Sequence, residues 1–137
     1  MAISKKQWIL AATKKRTPIS EATRQQINDA FVEMIDTFKK KCIKTNPDKS
    51  SSYLVDIYSS WYRNYFYLCE KYKAEFKNRT ANEFERKFVR LEYIDTDCFN
   101  FSYFRHTGQW HLVAQNLSLE DCKSRIMDNP VFQPLSI

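Results

Sequence analysis

The chain has one glycine in 137 residues. Dinucleotide fingerprints, phosphate-cradling loops and nucleophile elbows each need several glycines for tight turns and close backbone approach, so all three are excluded. Only two histidines occur, His106 and His111, without paired cysteines or carboxylates at metal-ligand spacing, and neither a metal centre nor a cofactor is expected. Cys42, Cys69, Cys98 and Cys122 form no C-x-x-C pair and follow no secretory leader. They read as reduced, mostly buried small hydrophobes. Long apolar runs are also missing. Trp8 to Ala12, the longest near the N-terminus, is followed by Lys14, Lys15 and Arg16 and is too short for a membrane span or a signal-peptide core. A cytoplasmic protein without membrane association is the expectation.

What the chain does hold is aromatic: ten phenylalanines, eight tyrosines and three tryptophans, with every tyrosine between Tyr53 and Tyr103. At this length a single domain over residues 1–137 is the natural count, and a chain of about 150 residues can bury roughly two thirds of its unfolded surface without disulfides or metals.

The net charge of +6 is uneven, since residues 1–49 carry eleven Lys/Arg against five Asp/Glu while residues 50–137 carry eleven against eleven. The excess gathers at Lys5 and Lys6, at Lys14, Lys15 and Arg16, and at Lys39, Lys40, Lys41 and Lys44. Residues 1–17 form a basic arm that can attract nucleic acid through phosphate contacts and counterion release. The plainer reading is a solvated face together with a favourable cationic helix end.

A helix is expected within residues 18–44. Ile27, Ala30, Phe31, Met34, Ile35, Phe38 and Cys42 recur at three- and four-residue steps as one apolar stripe, with Pro18 in the first turn and Thr17 or Ser20 as cap. Residues 53–76 satisfy a helical period as well, yet their aromatic and β-branched content favours two strands, about 53–60 and 64–73, broken near Arg63 and Asn64. Further on, Val89, Leu91 and Tyr93 alternate with Phe88, Arg90 and Glu92. A hairpin would set Tyr93 against Phe99, Leu91 against Phe101 and Val89 against Tyr103. Bringing Trp110, Leu112 and Ala114 to the same apolar face requires an even loop, supplied by residues 105–108, and pairs Tyr103 with Trp110. Gly108 then sits where a left-handed backbone is needed. Ser118 with Asp121 approximates a capping box for a closing helix at 118–129, with Leu119, Cys122 and Ile126 inward and Asn129 and Pro130 as its stop. The plan is α+β: an N-terminal helix, an antiparallel meander of four to five strands within 53–115, and a short C-terminal helix, with the helices on one sheet face.

On that register the other sheet face holds Phe88, Arg90, Glu92, Asn100, Ser102, Phe104, His111 and Val113, with Tyr65 or Phe66 beside them. So much apolar surface marks a partner site, unless the Trp8 segment or the tail 131–137 covers it. The leading expectation is a small soluble binding or interaction module that uses this aromatic face to bind itself or another protein, with homodimer contacts through Phe88, Phe104 and Val113. Arg105, His106, His111, Phe88, Arg90 and Phe104 are the candidate contact residues. The alternative is nucleic-acid binding by Lys5, Lys6, Lys14, Lys15 and Arg16. A third reading is a small hydrolase or isomerase with His111 or His106 as acid/base in a cavity, but no residue is assigned as catalytic, because nothing fixes the geometry of these histidines relative to Asp56, Glu70 or Glu92.

Overall fold

The computed structural model describes residues 18–74 and 82–134. Ser20 caps the first helix, α1 (Glu21–Ala30), its Oγ accepting a 3.1 Å hydrogen bond from the Thr23 amide. The expected single helix is in fact two. At Phe31 the backbone is distorted within the right-handed region (φ −101°, ψ −2°) and its N–H turns to the Asn28 carbonyl, before α2 (Val32–Cys42) resumes. The apolar stripe survives this one-residue break, with Ile27, Phe31, Met34, Ile35, Phe38 and Cys42 all buried. Lys39, Lys40 and Lys41 fill the last turn of α2, where cations favour the dipole.

Five strands follow, β1 (Tyr53–Tyr62), β2 (Tyr65–Ala74), β3 (Asn82–Asp95), β4 (Cys98–Phe104) and β5 (Trp110–Leu117), forming one antiparallel sheet in sequential order. The break between the first two is the Arg63–Asn64 turn, with Arg63 at φ 54°. Between β3 and β4 the pairs Tyr93–Phe99, Leu91–Phe101 and Val89–Tyr103 form as the alternation requires. The closing helix α3 (Leu119–Asp128) is capped by Ser118 and followed by a 3-10 turn, Pro130–Phe132. This is the α+β arrangement expected, a meander with its helices on one face. Ile57, Phe66, Leu68, Val89, Leu91, Phe99 and Phe101 point into the core with Phe31, Phe38, Cys122 and Ile126. Among the described residues no helix is long and apolar enough to cross a membrane.

The register shifts at several other places, and two of these bulges move residues singled out from sequence. On β3, Leu68 faces Val89 but Cys69 faces Lys87, so Phe88 is an extra residue. It turns inward beside Val89 and is 2% exposed, not an outer-face residue. On β5, Ala114 faces Phe101 but Leu112 faces Ser102, leaving Val113 as the extra residue, packed against the core. Parity therefore inverts before it. Trp110 pairs with Phe104 and not with Tyr103, and His111 lies opposite Tyr103. The connecting loop has an odd number of residues, 105–109, closed by hydrogen bonds from Arg105 N to Gln109 O and from Gly108 N to Arg105 O, both 2.9 Å.

Gly108 does take the left-handed backbone, at φ +84°, and an added Cβ would meet nothing within 4 Å. Its replacement by valine therefore carries only the backbone penalty, and Gly108→Val is expected to lower stability by about 1–3 kcal/mol. Urea denaturation measures this; an unchanged midpoint would mean that the loop relaxes at no cost.

Among the described residues, one charged side chain lies fully inside. Glu70, on the inward parity of β2 between Leu68 and Tyr72, is 0% exposed. Its Oε1 accepts a 2.6 Å hydrogen bond from Arg86 Nη1, and its Oε2 accepts one from the Tyr72 hydroxyl. Burial, then the Glu70 carboxylate, raise the Tyr72 hydroxyl above the ordinary phenol range, so it keeps the proton that it donates.

Candidate functional site on the outer sheet face

Since Phe66 and Leu68 point into the core, their neighbours Tyr65 and Tyr67 stand on the opposite face. Arg90 lies directly across from Tyr67 on one side and Ser102 on the other, and the β5 bulge delivers Trp110 to the same surface. The Arg90 guanidinium lies 4.8 Å from the Trp110 ring and 5.1 Å from that of Tyr65. Lys87 Nζ lies 5.5 Å from the Tyr67 ring, and Lys71 Nζ 5.9 Å from Tyr58. Tyr67 is in turn 5.8 Å from Trp110, which meets Phe104 edge-on at 5.2 Å. Four strands thus build one patch of half-buried rings with cations laid over them, each contact worth about 0.5–1 kcal/mol at such exposure.

The rings tile more than they stack: Tyr65 and Tyr67 are tilted by 35°, Tyr67 and Trp110 by 46°. Neither Arg90 nor Lys87 forms an ion pair among the described residues, whereas Lys71 meets Glu83 at 3.8 Å. Acids do occur on this face. Glu92 accepts the Asn100 amide at 3.3 Å, and Glu85 lies near Tyr58. The hydroxyls of Tyr58 and Tyr67 are raised above the phenol range mainly by burial, with Glu85 adding to the first and Arg90 opposing the second. Both stay neutral near pH 7.

Of the residues singled out from sequence, Arg90 and Phe104 belong to this patch. Arg105 and His106 are exposed on the adjoining loop. His111 lies on the helix side of the sheet, edge-on to Tyr103 at 5.6 Å, and Phe88 is in the core. Clefts beside the helices, ≈ 50 to 350 Å³ in volume, are lined by neither histidine. Phe132 packs against Phe101 and Tyr103 on the inner side, so the described part of the tail does not cover the outer face. Lys5, Lys6, Lys14, Lys15, Arg16 and the Trp8 segment lie outside the described residues. Sequence reasoning missed Tyr67, Trp110 and Lys87. The first was legible from its alternation with Phe66 and Leu68, while the other two were hidden by the bulges.

A family model described as Domain of unknown function (DUF3024) matches residues 19–134. The chain belongs to that family. No curated protein and no solved structure matches it. The DUF3024 match spans every described helix and strand, and with them the whole outer-face patch, whereas the basic arm at 1–17 falls outside it.

Proposed function

We propose that this chain is a small binding module whose working surface is the outer sheet face and whose partner is anionic. The observation that carries the reading is Arg90 and Lys87 held over aromatic rings with no carboxylate among the described residues paired to either. A cation fixed on a ring loses little freedom on binding, and its charge is directed outward. Self-association through apolar contacts is the weaker reading, because Phe88 and Val113 pack inward and leave Phe104 alone of the three residues expected to form that contact. Four unpaired cysteines are in keeping with a reducing, cytoplasmic setting.

Heparin affinity tests this reading. The pair Arg90→Glu with Lys87→Glu is expected to elute at distinctly lower salt than the pair Lys40→Glu with Lys41→Glu, which makes the same charge change on the exposed end of α2. Equal shifts would mean that only net charge counts, and the assignment of the sheet face would fall.

A further inference from the structure

Resting on that reading, we propose that the anionic partner is single-stranded nucleic acid, with bases stacking on Tyr65, Tyr67 and Trp110 while Arg90 and Lys87 meet the phosphates. Three observations select this class over other polyanions. The patch joins cations to flat rings, and a nucleotide carries the matching pair of groups, a charged phosphate and a planar base. An acidic peptide offers only the charge.

The rings also do not stack on one another. Tyr65, Tyr67 and Trp110 are tilted against one another with centroids 5.8 and 6.2 Å apart, so none hides its neighbour's face as a stacked pair would. Arg90, between them, can stack a base on its own guanidinium plane or turn to a phosphate.

Finally, the surface is a broad sheet. Bases in a duplex are already stacked and offer no free face, and duplex grooves take a helix or a two-stranded ribbon, not a five-stranded sheet. A sheet bearing aromatic side chains is a recurring platform for unpaired bases, holding roughly two or three of them. The rings come from β2 and β5, and no Lys/Arg-Gly-aromatic strand is present, so the platform reads stacking more than base identity.

Fluorescence anisotropy of labelled oligothymidylate and oligouridylate, an abasic strand of equal length, a duplex and polyglutamate decides the matter. The two base-bearing strands are expected to bind at least about ten-fold more tightly than the abasic strand, the duplex or polyglutamate. The relative affinity of the first two tells whether DNA or RNA is preferred. Tyr67→Leu with Trp110→Leu should remove that advantage over the abasic strand, and Trp110→Phe, which keeps a ring, should retain most of it. Lys87→Gln should lower the slope of log affinity against log salt by about one. Equal binding to base-bearing and abasic strands, preference for the duplex or polyglutamate, or no binding at all would overturn the proposal. Retained sensitivity of heparin elution to Arg90 and Lys87 would still leave the anionic-partner reading standing. A dimer in sedimentation that buries Trp110 would sink both.

Discussion

Replacing Arg86 by leucine is expected to destabilise the fold by about 3–5 kcal/mol, and more than removing its partner does. Glu70 and Arg86 face each other across β2 and β3, but their surroundings differ: the Glu70 side chain is 0% exposed and that of Arg86 28%. Without Arg86, a carboxylate stays in the core without this countercharge. Without Glu70, as in Glu70→Leu, the guanidinium can swing to water and the main loss is the acceptor for the Tyr72 hydroxyl, about 1–3 kcal/mol. The double variant should fall short of the sum, because an apolar pair no longer strands a charge. Urea denaturation of the three proteins gives the coupling energy. An Arg86→Leu loss under about 1 kcal/mol would mean that water reaches Glu70 and that the pair behaves as an exposed one.

The same pair shows what strand alternation can convey. On β2 the inward positions are Phe66, Leu68, Glu70 and Tyr72, so a charge on the apolar parity was visible once the strand was assigned. Its partner was not, because the β3 bulge decides which residue faces it. Alternation was legible where burial enforces it. Val89, Leu91 and Tyr93 meet Tyr103, Phe101 and Phe99 in the expected register because a one-residue slip would have turned each buried ring to water, although a shift after Tyr93 pairs Asp95 with Cys98. The helix stripe was legible for the same reason.

The misplaced residues of the outer face share one cause. Phe88 and Val113 are apolar residues on positions that strict alternation sends outward, and the sheet absorbs each by a bulge that turns it toward the core and inverts the residues beyond. Counting parity through an apolar residue on the polar side therefore misplaces everything after it, here Trp110, His111 and the length of the 105–109 loop. Arg90 and Phe104 accordingly lie on the outer face as expected, but strict alternation assigns Lys87 and Trp110 to the other one. An outward-parity phenylalanine next to an inward valine was the available signal, because the pair satisfies burial only if the strand bulges.

The break at Phe31 had no such signal, and its cause can be separated experimentally. Phe31→Ala is expected to cost about 3–5 kcal/mol, the range for deleting a buried aromatic ring. Phe31 is 0% exposed, and its ring lies 4.9 Å from that of Phe66, which meets Trp61 edge-on at 5.2 Å. Trp61 is in turn tied to α1 by a 2.9 Å hydrogen bond from Nε1 to the Asn28 side chain. The break thus stands where α1, β1 and β2 converge on one aromatic cluster. Alanine is the best helix former and would restore at most about 0.7 kcal/mol by propensity if the two helices fused. Propensity and packing therefore pull in opposite directions at this position, and their sizes are unequal. If packing holds the break, the variant loses several kcal/mol in urea denaturation and gains little helical circular dichroism. A loss under about 1 kcal/mol with a clear gain in helicity would instead show that phenylalanine's own weak helix preference interrupts the chain there, and that the ring contributes little to joining the helices to the sheet.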